Sequence, residues 1–430
     1  MKKVLILSYF YPPCNLTASQ RVGAWAKYLS LFGYYPIVVT RNWDKKINSP
    51  EDTLLNSGQE IVHEKYSSHE VFYLPYKSSK RDRIYTNNKE KKHLQAFSKI
   101  LTFKDLLFEN HTNSSIPFSN MYDFSKELLA KDKSIGLLIV SGNPFVQFKF
   151  GYDLNKLFGI KWIADYRDDW NTSEIASGFG KMKQVVSKIQ SKSEKKWVGT
   201  AECITSVSKV YADKIGKFVN KKGVVILNGF DDIHLSENHL IDNTEFNITY
   251  NGSLYPTQPI EPILNALKNI ISDNSIHLKI KINFPGLAFD KSQKKRIEHF
   301  FKGFENHLFI TDRIPKNEVL SIQQKSDLLL MVAHENIKGI PSSKLYEYIG
   351  LRKTVLLYPN DFDIIEETLN DTGLGLICNN EDDIFKNIYQ IISAKQNGEV
   401  LKKNINDSKI EYYSRKNQTA ELAKLLDFIV

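Results

Sequence analysis

The chain has 430 residues, 42% of them apolar and 12% aromatic, so it has the length of two or three domains and the means to fill their cores. Its three cysteines, Cys14, Cys203 and Cys378, lie far apart with no Cys-x-x-Cys pair, which argues against a disulfide scaffold or a zinc site and fits a reducing compartment. The net charge of +9 favours anionic partners, but no recognition helix, zinc finger or RNA-binding signature accompanies it, so nucleic acid is not expected.

The opening Met1-Lys-Lys-Val-Leu-Ile-Leu-Ser-Tyr9 reads as a first strand rather than a signal peptide, because its apolar run is short and prolines follow. No stretch approaches the ~20 apolar residues of a membrane span. Ala18–Phe32 is a predicted helix with Val22, Trp25, Ala26 and Leu29 on one face, and Gly33 stops it. Ile37–Thr40 is the next strand, giving a βαβ opening and implying a doubly wound sheet. No Gly-x-Gly-x-x-Gly joins strand to helix, which disfavours a dinucleotide cofactor. Asp44–Glu70 reads as irregular, Val71–Tyr76 as a strand, and the basic run Lys77–Lys104 as a segment of doubtful order. Strands follow at Ile135–Val140 and Lys161–Ala164, with a helix at Phe145–Phe158 between them. The second of these strands runs into Asp165-Tyr-Arg-Asp-Asp-Trp170, and polar residues where a parallel strand ends are site candidates.

Lys181–Val198 is a basic amphipathic helix, with Met182, Val185, Val186, Ile189 and Trp197 on one face. It suits either an anionic membrane surface or a packed helix with solvated lysines. Strands at Cys203–Val207 and Val224–Leu227 precede a turn at Asn228-Gly-Phe-Asp231. The polar stretch Asp232–Glu245 reads as a linker, and the α/β pattern then restarts. Strands are expected at Ile248–Asn251, Ile276–Phe284 and Leu308–Ile310, and helices at Pro259–Ile271, Val319–Lys325, Ile384–Ala394 and Gln418–Ile429.

Within the second half, Asp327-Leu-Leu-Leu-Met-Val-Ala333 and Thr354–Tyr358 read as buried parallel strands flanking Gly339-Ile-Pro-Ser-Ser-Lys-Leu-Tyr-Glu-Tyr-Ile-Gly350. Pro341 with Ser342 or Ser343 starts a helix there, and Leu345, Tyr348 and Ile349 form its buried face. The free N–H groups and positive dipole end of such a helix, with two serines and Lys344, suit a phosphate. Glu347, one turn on, suits sugar hydroxyls or pairs with Lys344 on the surface.

Several motifs in order carry a family resemblance: Tyr9-Phe-Tyr-Pro-Pro13 with Arg21 and Ala26-Lys-Tyr-Leu29, Ile163-Ala-Asp-Tyr-Arg-Asp-Asp-Trp170, Ile204-Thr-Ser-Val-Ser208, Asn228-Gly-Phe-Asp231, Tyr250-Asn-Gly-Ser-Leu254 and Ser343-Lys-Leu-Tyr-Glu-Tyr-Ile349. The chain resembles the retaining glycosyltransferases of family 4, particularly those building bacterial surface polysaccharides. The resemblance implies the GT-B architecture, two Rossmann-like doubly wound parallel-sheet domains facing a central cleft. Residues 1–232 would bind the acceptor and 245–410 a nucleotide-diphospho-sugar, with a helix at about 411–430 packing back on the first domain. It implies a UDP- or GDP-sugar donor, no further cofactor and no metal. The acceptor would be a saccharide, lipid-linked by that analogy, in capsule, O-antigen or exopolysaccharide synthesis at the cytoplasmic face of the inner membrane. The basic segments 181–198 and 77–104 offer contact with anionic lipid.

Residue by residue, Glu347 matches the second acidic position of the family's Glu-x7-Glu motif, which contacts the ribose. The first acidic position is Gly339, a departure, and neither His334 nor Glu335 has the spacing to replace it simply. A second departure lies at Gly252-Ser-Leu-Tyr-Pro-Thr-Gln258, where many relatives carry an arginine and a lysine against the diphosphate. Stabilisation of the leaving group then falls to Lys344 with the backbone of Ser342 and Ser343. Arg313 is next, though it also suits packing of its own loop. Gly252 and Ser253 allow close approach to phosphate or simply form a strand-end turn. On the acceptor side, Arg21 suits a phosphate or an ion pair with the Asp-rich loop. Asp168 suits an acceptor hydroxyl or, with Arg167, a salt-bridged turn. Asn143 and Thr17 are candidates to line the cleft, Asn143 alternatively serving as a turn before Pro144. A nucleotide-sugar epimerase or a non-catalytic nucleotide-sugar binder would use the same fold.

Overall fold

The computed structural model describes residues 1–44, 47, 50–87, 92–109, 111–173, 183–231, 244–340, 342–399 and 404–429. The expected linker, apart from its last two residues, and Lys181, Met182 and Pro341 lie outside these residues, as do 88–91 of the basic run. The chain divides into two units, Met1–Leu227 with Arg415–Val430, and Asn228–Ser414.

The first unit opens with β1 (Lys2–Ser8), α1 (Ala18–Tyr28) and β2 (Tyr34–Arg41), the helix running on through a 3-10 turn at Leu29–Phe32. Val22, Trp25, Ala26 and Leu29 are all buried, the face their spacing predicts. The segment expected to be irregular contains β3 (Val62–Lys65), which pairs antiparallel with β4 (Glu70–Leu74). β3 is a mostly exposed edge strand, so no apolar pattern announces it. The basic run of doubtful order holds α2 (Lys80–Asn87) and α3 (Lys92–Glu109), followed by α4 (Asn120–Lys131). Then come β5 (Ile135–Gly142), α5 (Gln147–Phe158), β6 (Lys161–Tyr166), α6 (Lys183–Val198), β7 (Cys203–Ser206), α7 (Lys209–Val219) and β8 (Gly223–Val225). The eight strands lie in the order β3-β4-β2-β1-β5-β6-β7-β8, parallel except for β3. The central strands are apolar throughout because helices cover both faces; Val4 to Leu7 and Leu138 to Val140 are wholly buried.

On α6, Val186 and Trp197 are buried as expected, but Val185 is exposed. Glu194 takes a buried place instead, accepting hydrogen bonds from Tyr166 Oη at 2.8 Å and Asn171 Nδ2 at 2.6 Å. Arg41, at the end of β2, is buried among Tyr9, Trp43 and Tyr76, and bonds to Ser57 Oγ and the Thr53 and Leu55 carbonyls. It thereby ties the following loop to the strand.

The second unit comprises β9 (Glu245–Thr249), α8 (Glu261–Ile271), β10 (Lys279–Phe284), α9 (Lys291–Phe300), β11 (Leu308–Ile310), α10 (Lys316–Lys325) and β12 (Leu328–Met331). It continues with α11 (Ser343–Gly350), β13 (Val355–Leu357), α12 (Ile364–Thr372), β14 (Gly375–Ile377), α13 (Glu381–Gln396) and α14 (Asp407–Tyr412). Its strands are all parallel, in the order β11-β10-β9-β12-β13-β14, the Rossmann arrangement. The last helix, α15 (Arg415–Ile429), belongs to the first unit, where Leu422, Ala423, Leu426 and Ile429 join the core of β1, β2 and α1.

Candidate functional site

In the second unit the sheet reverses its winding between β9 and β12, so the loops leaving these strands flank the crevice where doubly wound sheets bind ligands. The β9 loop carries Gly252 and Ser253; the β12 loop leads into α11. These two segments meet through Lys344. Its Nζ donates to Tyr250 Oη at 2.7 Å and to the Ser253 carbonyl at 2.9 Å, and stands 4.0 Å from the Tyr250 ring centroid. Burial pushes the ammonium pKa down to about 7, with Glu347 opposing the shift. Lys344 is thus turned into the β9 loop rather than paired along the helix surface.

The turn is built to receive it. Gly252 has φ +80°, and a Cβ added there would stand 3.6 Å from Lys344 Cε. Glycine is required for its backbone conformation, not for lack of room. Tyr250 Oη lies 2.9 Å from the Ser253 carbonyl and 3.3 Å from Gln258 Oε1. Gln258 Nε2 donates to the Val332 carbonyl at 2.6 Å, and the Asn251 N–H donates to Tyr348 Oη at 3.1 Å. Ser342 is the N-cap of α11 but its side chain makes no capping bond, so Ser343 and Lys344 open the helix with backbone N–H groups facing outward from the first turn. His334 is held by Thr257 Oγ1 at 2.7 Å from its Nδ1, and burial followed by the charge of Lys344 lowers its pKa.

Glu347 is half-buried, with its carboxylate 3.7 Å from Lys316 Nζ at the start of α10. Arg313, three residues before Lys316, is exposed and lies over Phe289 with its guanidinium carbon 3.8 Å from the ring centroid. Gly339, at the position of the missing glutamate, is buried with φ +81° and gives its N–H to Asp363 Oδ2. A side chain there meets backbone strain, so the glycine is a requirement of this loop's path.

In the first unit the reversal lies between β1 and β5. Here Arg21 requires correction as an acceptor contact: it is 4% exposed and fully engaged. Its Nε and Nη2 donate to the Asp165 carboxylate at 3.1 and 2.9 Å, and Nη1 donates to the Ile226 and Leu227 carbonyls at 2.7 and 3.1 Å. Asp165, wholly buried, also accepts from Ser141 Oγ and Thr205 Oγ1, each at 2.8 Å. This network knots α1, β5, β6, β7 and the segment after β8, which is the ion-pair alternative for Arg21.

Arg167 donates from Nε to the Gly142 carbonyl at 2.8 Å and from Nη2 to the Asn143 carbonyl at 3.3 Å. Burial pulls its pKa below the usual guanidinium value, with Asp168 and Asp165 opposing. Asp168 itself is exposed at the end of β6, beside Arg167. Thr17 is exposed at the N-cap of α1 and makes no capping bond. Asn143 is exposed and lines a pocket of about 220 Å³ whose wall includes Trp170. The structure therefore gathers Arg167, Asp168 and Asn143 at the ends of β5 and β6 and assigns Arg21 to the interior.

No family model and no curated protein sequence matches this chain. Solved structures do. A sucrose-phosphate synthase from Thermosynechococcus elongatus aligns over 100% of this chain and 99% of its own, with TM-score 0.62 and 11% identity. An α,α-trehalose-phosphate synthase from Burkholderia xenovorans, solved with glucose-6-phosphate, covers 99% and 100%, with TM-score 0.64 and 8% identity. The Anabaena protein HepE, solved with UDP and glucose, covers 99% and 100%, with TM-score 0.56 and 12% identity. The fold is GT-B. Its two Rossmann-like units account for both sheets and for the return of α15 to the first unit.

On this fold, the contacts that hold Lys344 escaped sequence reading, although Ser253 itself is a sequence candidate. Tyr250 and Ser253 lie more than ninety positions before it, and Gln258 reads as an ordinary loop polar residue. The Tyr348 hydroxyl bonds back to Asn251 although the helix pattern marks Tyr348 only as core.

Proposed function

We propose that this chain is a retaining, metal-independent glycosyltransferase of the family 4 type, taking sugar from a UDP- or GDP-sugar to a saccharide acceptor. One observation carries the reading: a lysine with its pKa pushed down to about 7, set between a positive-φ glycine turn and a helix N-terminus at the reversal point of a Rossmann-ordered sheet. Such a lysine becomes fully charged when a diphosphate arrives, and the N–H groups of Ser343 and Lys344 supply further donors. Glu347 would exchange Lys316 for the ribose hydroxyls, and Arg313 would bear on the base or the diphosphate. In the transfer, the bond from the anomeric carbon to the diphosphate oxygen breaks as the acceptor hydroxyl oxygen attacks the same face. The hydroxyl proton passes to the departing diphosphate, and Lys344 stabilises the charge left there. Arg167, Asp168 and Asn143 would orient the acceptor. A lipid-linked acceptor in surface-polysaccharide synthesis, with the basic helices resting on anionic lipid, fits the net charge of +9.

The test is thermal stabilisation by a panel of UDP- and GDP-sugars, for the intact protein and for Lys344→Ala and Glu347→Ala. The expected result is a shift with one nucleotide class that both variants lose. Equal shifts in the variants would overturn the donor site. The glycine at 339, where the motif's first glutamate would stand, also favours a binder without turnover. Conversion of the bound donor without acceptor marks an epimerase, and binding with neither transfer nor conversion marks a binder.

A further inference from the structure

The pocket beside Asn143 has a lining of two kinds. One is aromatic: Phe145 and Trp170 stack with centroids 5.2 Å apart, and Trp197 follows at 6.1 Å from Trp170. The rest of the lining is mixed, apolar at Leu106, Pro144 and Val146 and polar at Glu109 of α3, Gln190 and Ser193 of α6 and Asn143 just past β5. A pyranose ring has the same two-sided character, with C–H groups on its faces and hydroxyls around its edge. Apolar area buried on the aromatic wall and hydrogen bonds to the carboxylate and amides would act together. At about 220 Å³ the pocket falls below the ~300 Å³ at which drug-sized ligands begin to fit, which gives it room for a single ring. Its position adds a second argument. Arg167 hydrogen-bonds the Asn143 carbonyl, and Asp168 follows in sequence, so the pocket adjoins the residues gathered at the ends of β5 and β6. Burial pushes the Glu109 carboxyl up to about 7, with Arg81 opposing, so this group gains from any hydroxyl that hydrogen-bonds to it.

We infer that this pocket is a binding site for one sugar ring of the acceptor, held against Phe145, Trp170 and Trp197 and hydrogen-bonded by Glu109, Gln190 and Asn143. The inference rests on the glycosyl-transfer reading for the word acceptor, but the sugar site stands on its own geometry.

Two of the five tryptophans line the pocket, so intrinsic fluorescence reports on it directly. The full chain is titrated with methyl α- and β-glycosides of glucose, galactose, mannose and N-acetylglucosamine, with saturation-transfer NMR in parallel. At least one glycoside should change the fluorescence saturably. Glu109→Gln and Gln190→Ala should each weaken its binding roughly tenfold through a lost hydrogen bond, and Trp170→Ala should weaken it at least as much. Glu109→Gln changes almost no volume and decides the matter should Trp170→Ala fail to fold. Saturable binding that ignores all three substitutions, no binding by any methyl glycoside, or tighter binding of a phenyl or octyl glycoside through its aglycone would each overturn the sugar site. Nucleotide-sugar thermal shifts on the intact protein separate the two readings. A donor shift without sugar binding overturns the pocket alone, and sugar binding without a donor shift overturns the donor site while leaving the pocket.

Discussion

Lys344 concentrates the chemistry of the second unit in one titration. Its pKa of about 7 in the free protein must rise when a negative diphosphate binds beside it, because an adjacent opposite charge favours the protonated form. Binding therefore takes up a proton above pH 7. The affinity for a nucleotide-sugar, whose diphosphate diester does not titrate in this range, should be highest below pH 7 and fall by up to roughly tenfold per pH unit above it. Isothermal titration at pH 6 and 8.5 reads this, and Lys344→Ala should flatten the profile. A flat profile in the intact protein would count against Lys344 as the diphosphate partner. Arg21 and Asp165 teach the opposite lesson about charged residues. Both are buried and mutually satisfied, so removing one strands the other's charge. Arg21→Ala should cost on the order of 3–5 kcal/mol in denaturant unfolding. A cost below 1 kcal/mol would mean that the knot contributes little.

At the scale of elements, the loop leading into α11 shows how backbone path constrains a site. Restoring acid at the departed motif position, Gly339→Glu, puts an L side chain onto φ +81°. The variant should lose about 1–2 kcal/mol without gaining transfer activity, and a thermal melt with a parallel assay checks both. α3 and α6 invite a different measurement. Ile100, Phe97, Leu107 and Phe108 of α3 are exposed, as are Val185 and the lysines at 188, 192, 195 and 196 of α6. No helix among the described residues is long and apolar enough to cross a membrane. Co-sedimentation with anionic vesicles should exceed that with neutral ones, weaken with salt, and drop when these four lysines become alanine. Equal binding to both vesicle types would remove the membrane from the account.

At the scale of the whole molecule, the chain leaves the first unit at Leu227 and returns to it only at Arg415. α15 is fastened there by several contacts. Tyr34 Oη donates to Asp427 at 2.7 Å, Lys161 Nζ donates to the Ile429 carbonyl at 2.7 Å, and the Leu227 N–H donates to Gln418 at 2.9 Å. Leu426, wholly buried in that core, should cost about 2–5 kcal/mol when cut to alanine. Hydrogen exchange resolves where the loss falls, and protection should drop in β1, β2 and α1. Loss confined to the second unit would contradict the observed packing.

Much of the architecture was legible in the chain itself. Apolar runs such as Val4–Leu7 and Leu328–Met331 mark strands covered on both faces. The i, i+3, i+4 spacing of Leu345, Tyr348 and Ile349 marks a helix face, because side-chain direction follows backbone period. The reversal-point loops, and with them Gly252, Ser342, Ser343 and Lys344, follow from the alternation of strands and helices. Elements without that periodic signal escaped: β3 is an exposed edge, and α2 and α3 lie in a lysine-rich run. The roles of charged residues escaped for a related reason. An arginine near a helix start reads the same whether it meets ligand or carboxylate, and only folding brought Asp165 to Arg21 across 144 positions. Tertiary structure likewise decided that Tyr250 and Ser253 hold Lys344, and that Glu109, Gln190 and the Phe145–Trp170–Trp197 wall share one pocket. Periodicity is local, whereas burial, pairing and cavity shape are set by neighbours far away in sequence.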